Sequence, residues 1–150
     1  MYSIRIFETE MQNQINQFYE ICLPESGRAF DPQGAHKALT EIETSFALFL
    51  CLFDGSELIG TIAINKLTEE DCELRAVYLL EQYHGKGLGT RMIQEAIQYA
   101  KDYGFQKILL DTISSISQKA IRMYRKCGFT ETQRYKSTLR SDLFMELVLR

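Results

Sequence analysis

The chain is poor in the residues that staple or ligate. Its four cysteines, Cys22, Cys51, Cys72 and Cys127, are scattered without a C-x-x-C pair, and His36 and His84 are the only histidines. That spacing argues against a structural zinc site or a disulfide framework, and no metal is expected. Free thiols in apolar stretches, such as Cys51 and Cys72, behave as small hydrophobes, in keeping with a reducing compartment. Proline is scarce as well, with two in 150 residues. Together with 45% hydrophobic and 25% charged residues, this excludes collagen-like, mucin-like and disordered chains. There is no basic surplus, since 17 Lys and Arg against 20 Asp and Glu leave a net charge of −3. Neither nucleic acid nor an anionic membrane is therefore an expected partner. The longest apolar run, Phe46 to Phe53, is far too short to cross a bilayer. Met1-Tyr2-Ser3-Ile4-Arg5 lacks a signal-peptide plan. Repeats, low-complexity tracts and linkers are also missing. The expectation is one soluble, cytoplasmic domain over residues 1–150.

What is present is a regular change of hydrophobic period. Tyr2, Ile4 and Ile6 alternate with Ser3 and Arg5, predicting an opening strand. Ile15, Phe18, Tyr19 and Cys22 fall at helical spacing, with Pro24 expected to stop the helix and Pro24 to Gly34 to form a loop. Ala35, Ala38, Leu39 and Ile42 predict a second short helix. Two apolar runs, Phe46 to Phe53 and Leu58 to Ile64, flank Asp54-Gly55, a hairpin signal because a tight turn there takes φ > 0. A strand over Cys72 to Leu80 comes next. After a glycine-rich turn, Leu88, Met92, Ile93, Ala96, Ile97 and Ala100 line one helix face, with Gly104 as C-cap. A buried strand over Lys107 to Thr112 precedes a helix over Ser117 to Lys126 that ends at Gly128. Closing strands over Phe129 to Tyr135 and Leu143 to Leu149 complete the order β-α-α-β-β-β-α-β-α-β-β. That order predicts a mixed sheet with helices packed on it, an α/β (α+β) fold.

The chemistry concentrates in Leu79-Leu80-Glu81-Gln82-Tyr83-His84-Gly85-Lys86-Gly87-Leu88-Gly89-Thr90, which holds three of the nine glycines. Glycine between a strand and a helix lets backbone approach a ligand closely. The first helical turn leaves N–H groups without intrahelical partners, at the positive end of the helix dipole. Such a turn suits phosphate oxygens. Thr90 stands where a dinucleotide fingerprint needs its third glycine, and Gly85-Lys86-Gly87 does not supply a nucleotide P-loop. A diphosphate cradle and a tight turn without ligand remain.

Gln82-Tyr83-His84-Gly85-Lys86-Gly87 resembles the Q/R-x-x-G-x-G/A motif of the GNAT superfamily of N-acetyltransferases. Glu73-Leu74-Arg75-Ala76-Val77-Tyr78-Leu79 is similar to that family's fourth strand, and Ala120-Ile121-Arg122-Met123-Tyr124-Arg125-Lys126-Cys127-Gly128-Phe129 to its A-I-x-x-Y-x-x-x-G-F signature. The resemblance covers the chain and is strongest from residue 72 to 130. It implies a mixed, mostly antiparallel sheet of about seven strands with helices on both faces, splayed between the fourth and fifth strands. It further implies acetyl-CoA as co-substrate, a small-molecule or peptide amine as acceptor, and a homodimer as a family option. Leu79, Gln82, His84, Gly85, Lys86, Gly87, Leu88, Gly89, Thr90 and Ser117 are the implied cofactor-binding positions, with an unpaired Leu79 N–H polarising the thioester. His84 and Ser117 depart from the Arg and Asn common at those positions, although Ser117 can still cap its helix.

Within the resemblance, Tyr124 is the candidate general acid, because a phenol near pKa 10 stays protonated at neutral pH and can donate to a departing thiolate. Glu73 is the candidate base. The competing reading pairs Glu73 with Arg75, and alternation would place Glu73, Arg75, Val77 and Leu79 on one strand face. Lys86, Arg91, Lys119, Arg122, Arg125 and Lys126 are either phosphate partners or solvated charges. Acceptor specificity is expected from Pro24 to Gly34 and Arg134 to Asp142, with Arg28, Phe30 and Tyr135 in reach. Glu25 and Asp31 hint at a cationic acceptor. The function implied is N-acetyl transfer by direct attack in a ternary complex. The alternatives are a longer acyl donor and a non-catalytic acyl-CoA-binding or sensing module.

Overall fold

The computed structural model describes residues 1–149. Strand β1 (Tyr2–Ile6) leads through a 3-10 turn into helix α1 (Gln12–Glu25) and a short helix α2 (Ile42–Ser45). Strands β2 (Leu48–Asp54), β3 (Glu57–Lys66) and β4 (Asp71–Leu79) follow, then helix α3 (Leu88–Asp102), β5 (Lys107–Thr112), helix α4 (Gln118–Lys126), β6 (Thr130–Glu131) and β7 (Leu143–Val148). The element order matches the one read from hydrophobic periods. All seven strands join one sheet in the order β1-β2-β3-β4-β5-β7-β6. Every neighbouring pair is antiparallel except β4 with β5.

The strands β2 and β3 are apolar on both faces, so each face needs a helix layer. On one face α1 lays down Ile15, Phe18, Tyr19, Cys22 and Leu23, all buried. On the other, the stripe of α3 buries Met92, Ile93, Ala96 and Ala100, and Gly60 of β3 lets Met92 come close enough that a Cβ there would sit 3.1 Å from its sulfur. Each large side chain so buried contributes about 1.5–3 kcal/mol.

Four local expectations are corrected. Pro24 lies inside α1 and does not stop it. In a last turn a proline removes a single amide donor, and termination passes to Gly27 (φ 84°), with Arg28 N–H on the Leu23 carbonyl at 3.0 Å and Gly27 N–H on Pro24 at 3.1 Å. The second helix is split into a 3-10 turn, Lys37–Thr40, and the one-turn α2. Only Leu39 and Ile42 of its apolar stripe are buried, and so short a segment does not repay nucleation. The Gln12 side chain bridges the break, donating to the Leu39 carbonyl and accepting from Ile42 N–H. The sixth strand shrinks to Thr130–Glu131 because Tyr135 turns inward to a carboxylate on β4.

The fourth correction concerns the faces of β4. Thr61 pairs with Tyr78 and Ala63 with Arg75, so two residues of β4 oppose Ile62 alone. This is a β-bulge. It inverts the alternation, leaving Glu73, Arg75 and Tyr78 on the α1 face and Leu79 on the α3 face. Ala76 within the bulge has φ 53°, and its carbonyl is held by Thr61 Oγ1 at 2.8 Å. Tyr19 Oη in turn donates to Thr61 Oγ1 at 2.7 Å. Beyond the bulge β4 has no partner on its other side, since its parallel pairing with β5 covers only Asp71 to Glu73.

A left-handed conformation at a residue with a Cβ costs about 1–2 kcal/mol. Ala76→Gly should therefore leave stability unchanged or raise it by up to about 1 kcal/mol, and Ala76→Val should lower it by more than about 1 kcal/mol. Urea unfolding midpoints check this, and an A76G variant clearly less stable than the parent would show that the bulge carries no strain.

Candidate active site

Where β4 parts from β5 a cleft of about 1390 Å³ opens. At one end lies the glycine turn. A 3-10 turn, Glu81–Tyr83, leads to Gly85 and Gly87, both at φ 79°, where a Cβ would meet no atom within 4 Å but would be conformationally strained. Gly87 caps α3 without any side-chain hydrogen bond. The first bond of the helix runs from Arg91 N–H to the Gly87 carbonyl at 3.1 Å. Among the described residues no acceptor meets the N–H groups of residues 85–90. His84, Gly85, Gly87, Leu88, Gly89 and Thr90 line the cleft, whereas Gln82 and Lys86 do not.

The turn is anchored from behind. Tyr83 Oη donates to Asp54 Oδ2 at 2.8 Å, and Glu81 N–H donates to Glu25 Oε1 at 2.9 Å. His84 turns its Nε2–H onto the Leu79 carbonyl at 2.9 Å, so the imidazole standing in place of the family's arginine braces the end of β4. The Leu79 N–H shares that orientation away from β3, because Leu80 N–H makes the ladder bond to Ile59. Among the described residues no hydrogen-bond acceptor meets it; the buried Cys22 thiol that lines the same cleft is pushed up to about 12, chiefly by burial.

Tyr124 enters the cleft from α4. The helix ends in paired bonds, Gly128 N–H to Arg125 and Phe129 N–H to Tyr124, each 3.0 Å. This 6→1 closure brings the Phe129 ring within 5.9 Å of the Tyr124 ring and gives the Y-x-x-x-G-F spacing its physical cause. The Tyr124 side chain is buried, yet among the described residues its hydroxyl has no partner, and no such atom is sealed from solvent. It therefore opens on the cleft. Burial, then Tyr78, raise its pKa above the ordinary value of 10, Asp111 adds slightly, and Arg28 opposes them. Ser117 begins α4 but makes no side-chain cap. Its Oγ instead accepts from Thr112 Oγ1 at 2.8 Å and from Arg28 Nη2 at 3.0 Å, spending the oxygen that capping would need.

Glu73 is 2% exposed and lies behind the cleft wall, outside its lining. Its carboxylate accepts from Tyr135 Oη, from Lys136 Nζ at 2.8 Å and from Arg75 Nη1 at 3.3 Å. Lys136 also reaches Asp111 at 3.0 Å. The pairing with Arg75 is thus present, and Lys136, which no sequence pattern marks, is its strongest cationic partner. Lys119, Arg122 and Lys126 line the cleft along α4, whereas Arg125, Lys86 and Arg91 do not. The acids that hinted at a cationic acceptor serve the backbone: Glu25 holds Glu81 N–H, and Asp31 Oδ2 holds Ala35 N–H at 3.2 Å. Among the described residues no cluster of three metal-ligating side chains occurs, and no helix is long and apolar enough to cross a membrane.

Residues 11–129 match the model of the acetyltransferase (GNAT) family. A mycothiol acetyltransferase of Corynebacterium efficiens is 33% identical over 86 residues, covering 57% of this chain and 29% of that protein. The chain thus spans less than a third of that relative's length, and of an uncharacterized N-acetyltransferase of Schizosaccharomyces pombe the match covers 47%. A crystal structure of a GNAT-family acetyltransferase from Staphylococcus aureus superposes with a TM-score of 0.89 over 100% of both chains, at 18% identity. PaiA N-acetyltransferase from Thermoplasma acidophilum, solved in complex with coenzyme A, gives 0.78 over 99% of each chain at 20% identity. At such identities these structures show the shared fold.

His36 at the cleft rim yields a pH test. Burial first, then Arg140 and, more weakly, Arg28 hold its imidazole below the ordinary 6.5 against the opposing effect of Asp31. Nδ1 accepts Asp31 N–H at 3.0 Å, a bond that protonation there would break. The unfolded chain then binds a proton that the folded chain refuses, so stability is complete above about pH 6.5 and is lost as pH falls through that value. His36→Gln should lose less stability than the parent between pH 7.5 and 5.5 in urea titrations. Parallel losses would remove His36 from the account.

Proposed function

Since the chain belongs to the acetyltransferase (GNAT) family, we propose that it transfers acetyl from acetyl-CoA to a primary amine by direct attack in a ternary complex. The observation that carries this reading is the run of unpartnered N–H groups over residues 85–90, all but Lys86 on residues that line the same cleft as Tyr124 with its free hydroxyl. The amides of Gly85 to Thr90 bind the diphosphate at the N-terminus of α3. Gln82 and Lys86 act through the shape of the turn, and Lys119, Arg122 and Lys126 attract the phosphates from α4. The pantetheine arm lies in the gap between β4 and β5.

The unpartnered Leu79 N–H receives the thioester oxygen and stabilises the charge that develops there. The amine nitrogen attacks the carbonyl carbon, the C–S bond breaks, and its electron pair passes to sulfur. Tyr124 donates its O–H to the departing thiolate. A thiol near 8.5 is the stronger acid, so Tyr124 contributes mainly as a hydrogen-bond donor that stays protonated. The ammonium proton leaves to water in the open cleft. Glu73, with Tyr135, Lys136 and Arg75 on its carboxylate, positions this wall of the site and stands out of the amine's direct reach.

With labelled acetyl-CoA and an amine panel, at least one amine should yield product. Tyr124→Phe should lower kcat by roughly 10²-fold with little change in the KM for acetyl-CoA. A negligible drop removes Tyr124 from the chemistry. Gly87→Ala places a Cβ at φ 79° and should weaken CoA binding about 5- to 10-fold, read by calorimetry. CoA binding without product from any amine would instead mark a binding module.

A further inference from the structure

We infer that the acceptor amine also carries a carboxylate and that Arg28 and Arg140 receive it; this rests on the acyl-transfer reading above. The cleft has two electrostatically distinct ends. The glycine turn opens α3 on one face of the sheet, and Lys119, Arg122 and Lys126 of α4 line the cleft with it. Arg75 and Tyr78 point to the opposite, α1 face, and there Arg28 places its guanidinium 5.9 Å from the centre of the Tyr78 ring. Arg140 arrives from the segment between β6 and β7 and lines the same end. Both arginines lie within electrostatic reach of Tyr78 and His36.

The charges at this end do not balance internally. Arg75 and Lys136 are matched by Glu73 and Asp111. Among the described residues no ion pair includes Arg28 or Arg140. The acids that line the cleft are Glu25, Glu81 and Asp111, and none is paired with either arginine. Glu25 holds the Glu81 amide, and Asp111 accepts from Lys136 and Ser141. Glu81 sits at the glycine end. Arg28 donates only to the neutral Ser26 carbonyl and Ser117 hydroxyl, so among the described residues two guanidinium groups line the acceptor end without a carboxylate partner. Beside them His36 commits Nδ1 to Asp31, which leaves its Nε2–H as a further donor. A carboxylate satisfies both cations through charge-assisted hydrogen bonds. A polycationic amine would be repelled at the same place.

The test uses CoA-saturated protein and matched ligands: phenylalanine against phenethylamine, glycylglycine against its C-terminal amide, and spermidine as the polycation. Calorimetry gives affinity, and CoA release from acetyl-CoA gives turnover on the same set. The carboxylate-bearing member of each pair should bind at least about 10-fold more tightly. Arg140→Ala should abolish that preference, and its CoA affinity reports that the variant is folded. Equal or tighter binding of the carboxylate-free members, preference for spermidine, binding of no ligand at all, or a preference that survives R140A each overturns the inference. Carboxylate preference without turnover would leave the arginine assignment standing and sink the acyl-transfer reading.

Discussion

Everything functional in this molecule depends on β4 leaving β5 after three residues of pairing. A parallel pair normally satisfies its backbone groups along its whole length, and unpaired buried amides are costly. Here the departure is enforced from the opposite edge. The bulge between Arg75 and Val77 bends β4, and the chain of bonds from Tyr19 through Thr61 to the Ala76 carbonyl pins it. A helix on one face thereby controls a gap that opens beside a different strand. Of the two Leu79 groups turned to the gap, the carbonyl is held by His84, and among the described residues the N–H has no acceptor.

The same gap explains why the helix that follows β5 is so tightly terminated. Tyr124 has to reach into the cleft while its hydroxyl stays uncommitted, which requires its backbone to be fixed from elsewhere. The closure at Gly128 does this by tying the Phe129 N–H to the Tyr124 carbonyl. Phe129 is itself buried in the core, so the fixing reaches from the sheet through five residues of chain to a phenol. Such rigidity is what an oriented donor needs.

Much of this was legible in sequence, because much of it is local. Period changes located the strands and α3, and Gly104 and Gly128 marked helix ends, since these signals are written within about one turn of chain. The glycine turn was legible for the same reason. The inversion of β4 was not, because a bulge at Ala76 is decided by Tyr19 and Thr61, which are far away in sequence. Nor was the Glu73 network, which draws Tyr135 and Lys136 from a segment with no regular period. Ser117 does not cap with its side chain, because its oxygen is claimed by Arg28, 89 residues away. Pro24 is the opposite case, a local matter: in the last turn of α1 it removes one amide donor and leaves the helix intact.

These two kinds of legibility follow a division in the site itself. The donor end proposed above is built from main-chain amides at a helix terminus, so a grip on a diphosphate there would depend on backbone shape more than on the side chain at position 84. The acceptor end is built from side chains on two connecting segments, Arg28 after α1 and Arg140 before β7. Neither is needed to close the core, and Arg140 is exposed on the surface. Charge at that end can change without disturbing the bulge, the gap or the glycine turn, because the groups that create those features lie on β3, β4, α1 and α3. Arg28 is the exception. Its bonds to Ser117 and Ser26 couple the acceptor loop to the start of the helix that carries Tyr124, so an anion that draws Arg28 away from Ser117 would also act on the placement of the Tyr124 hydroxyl.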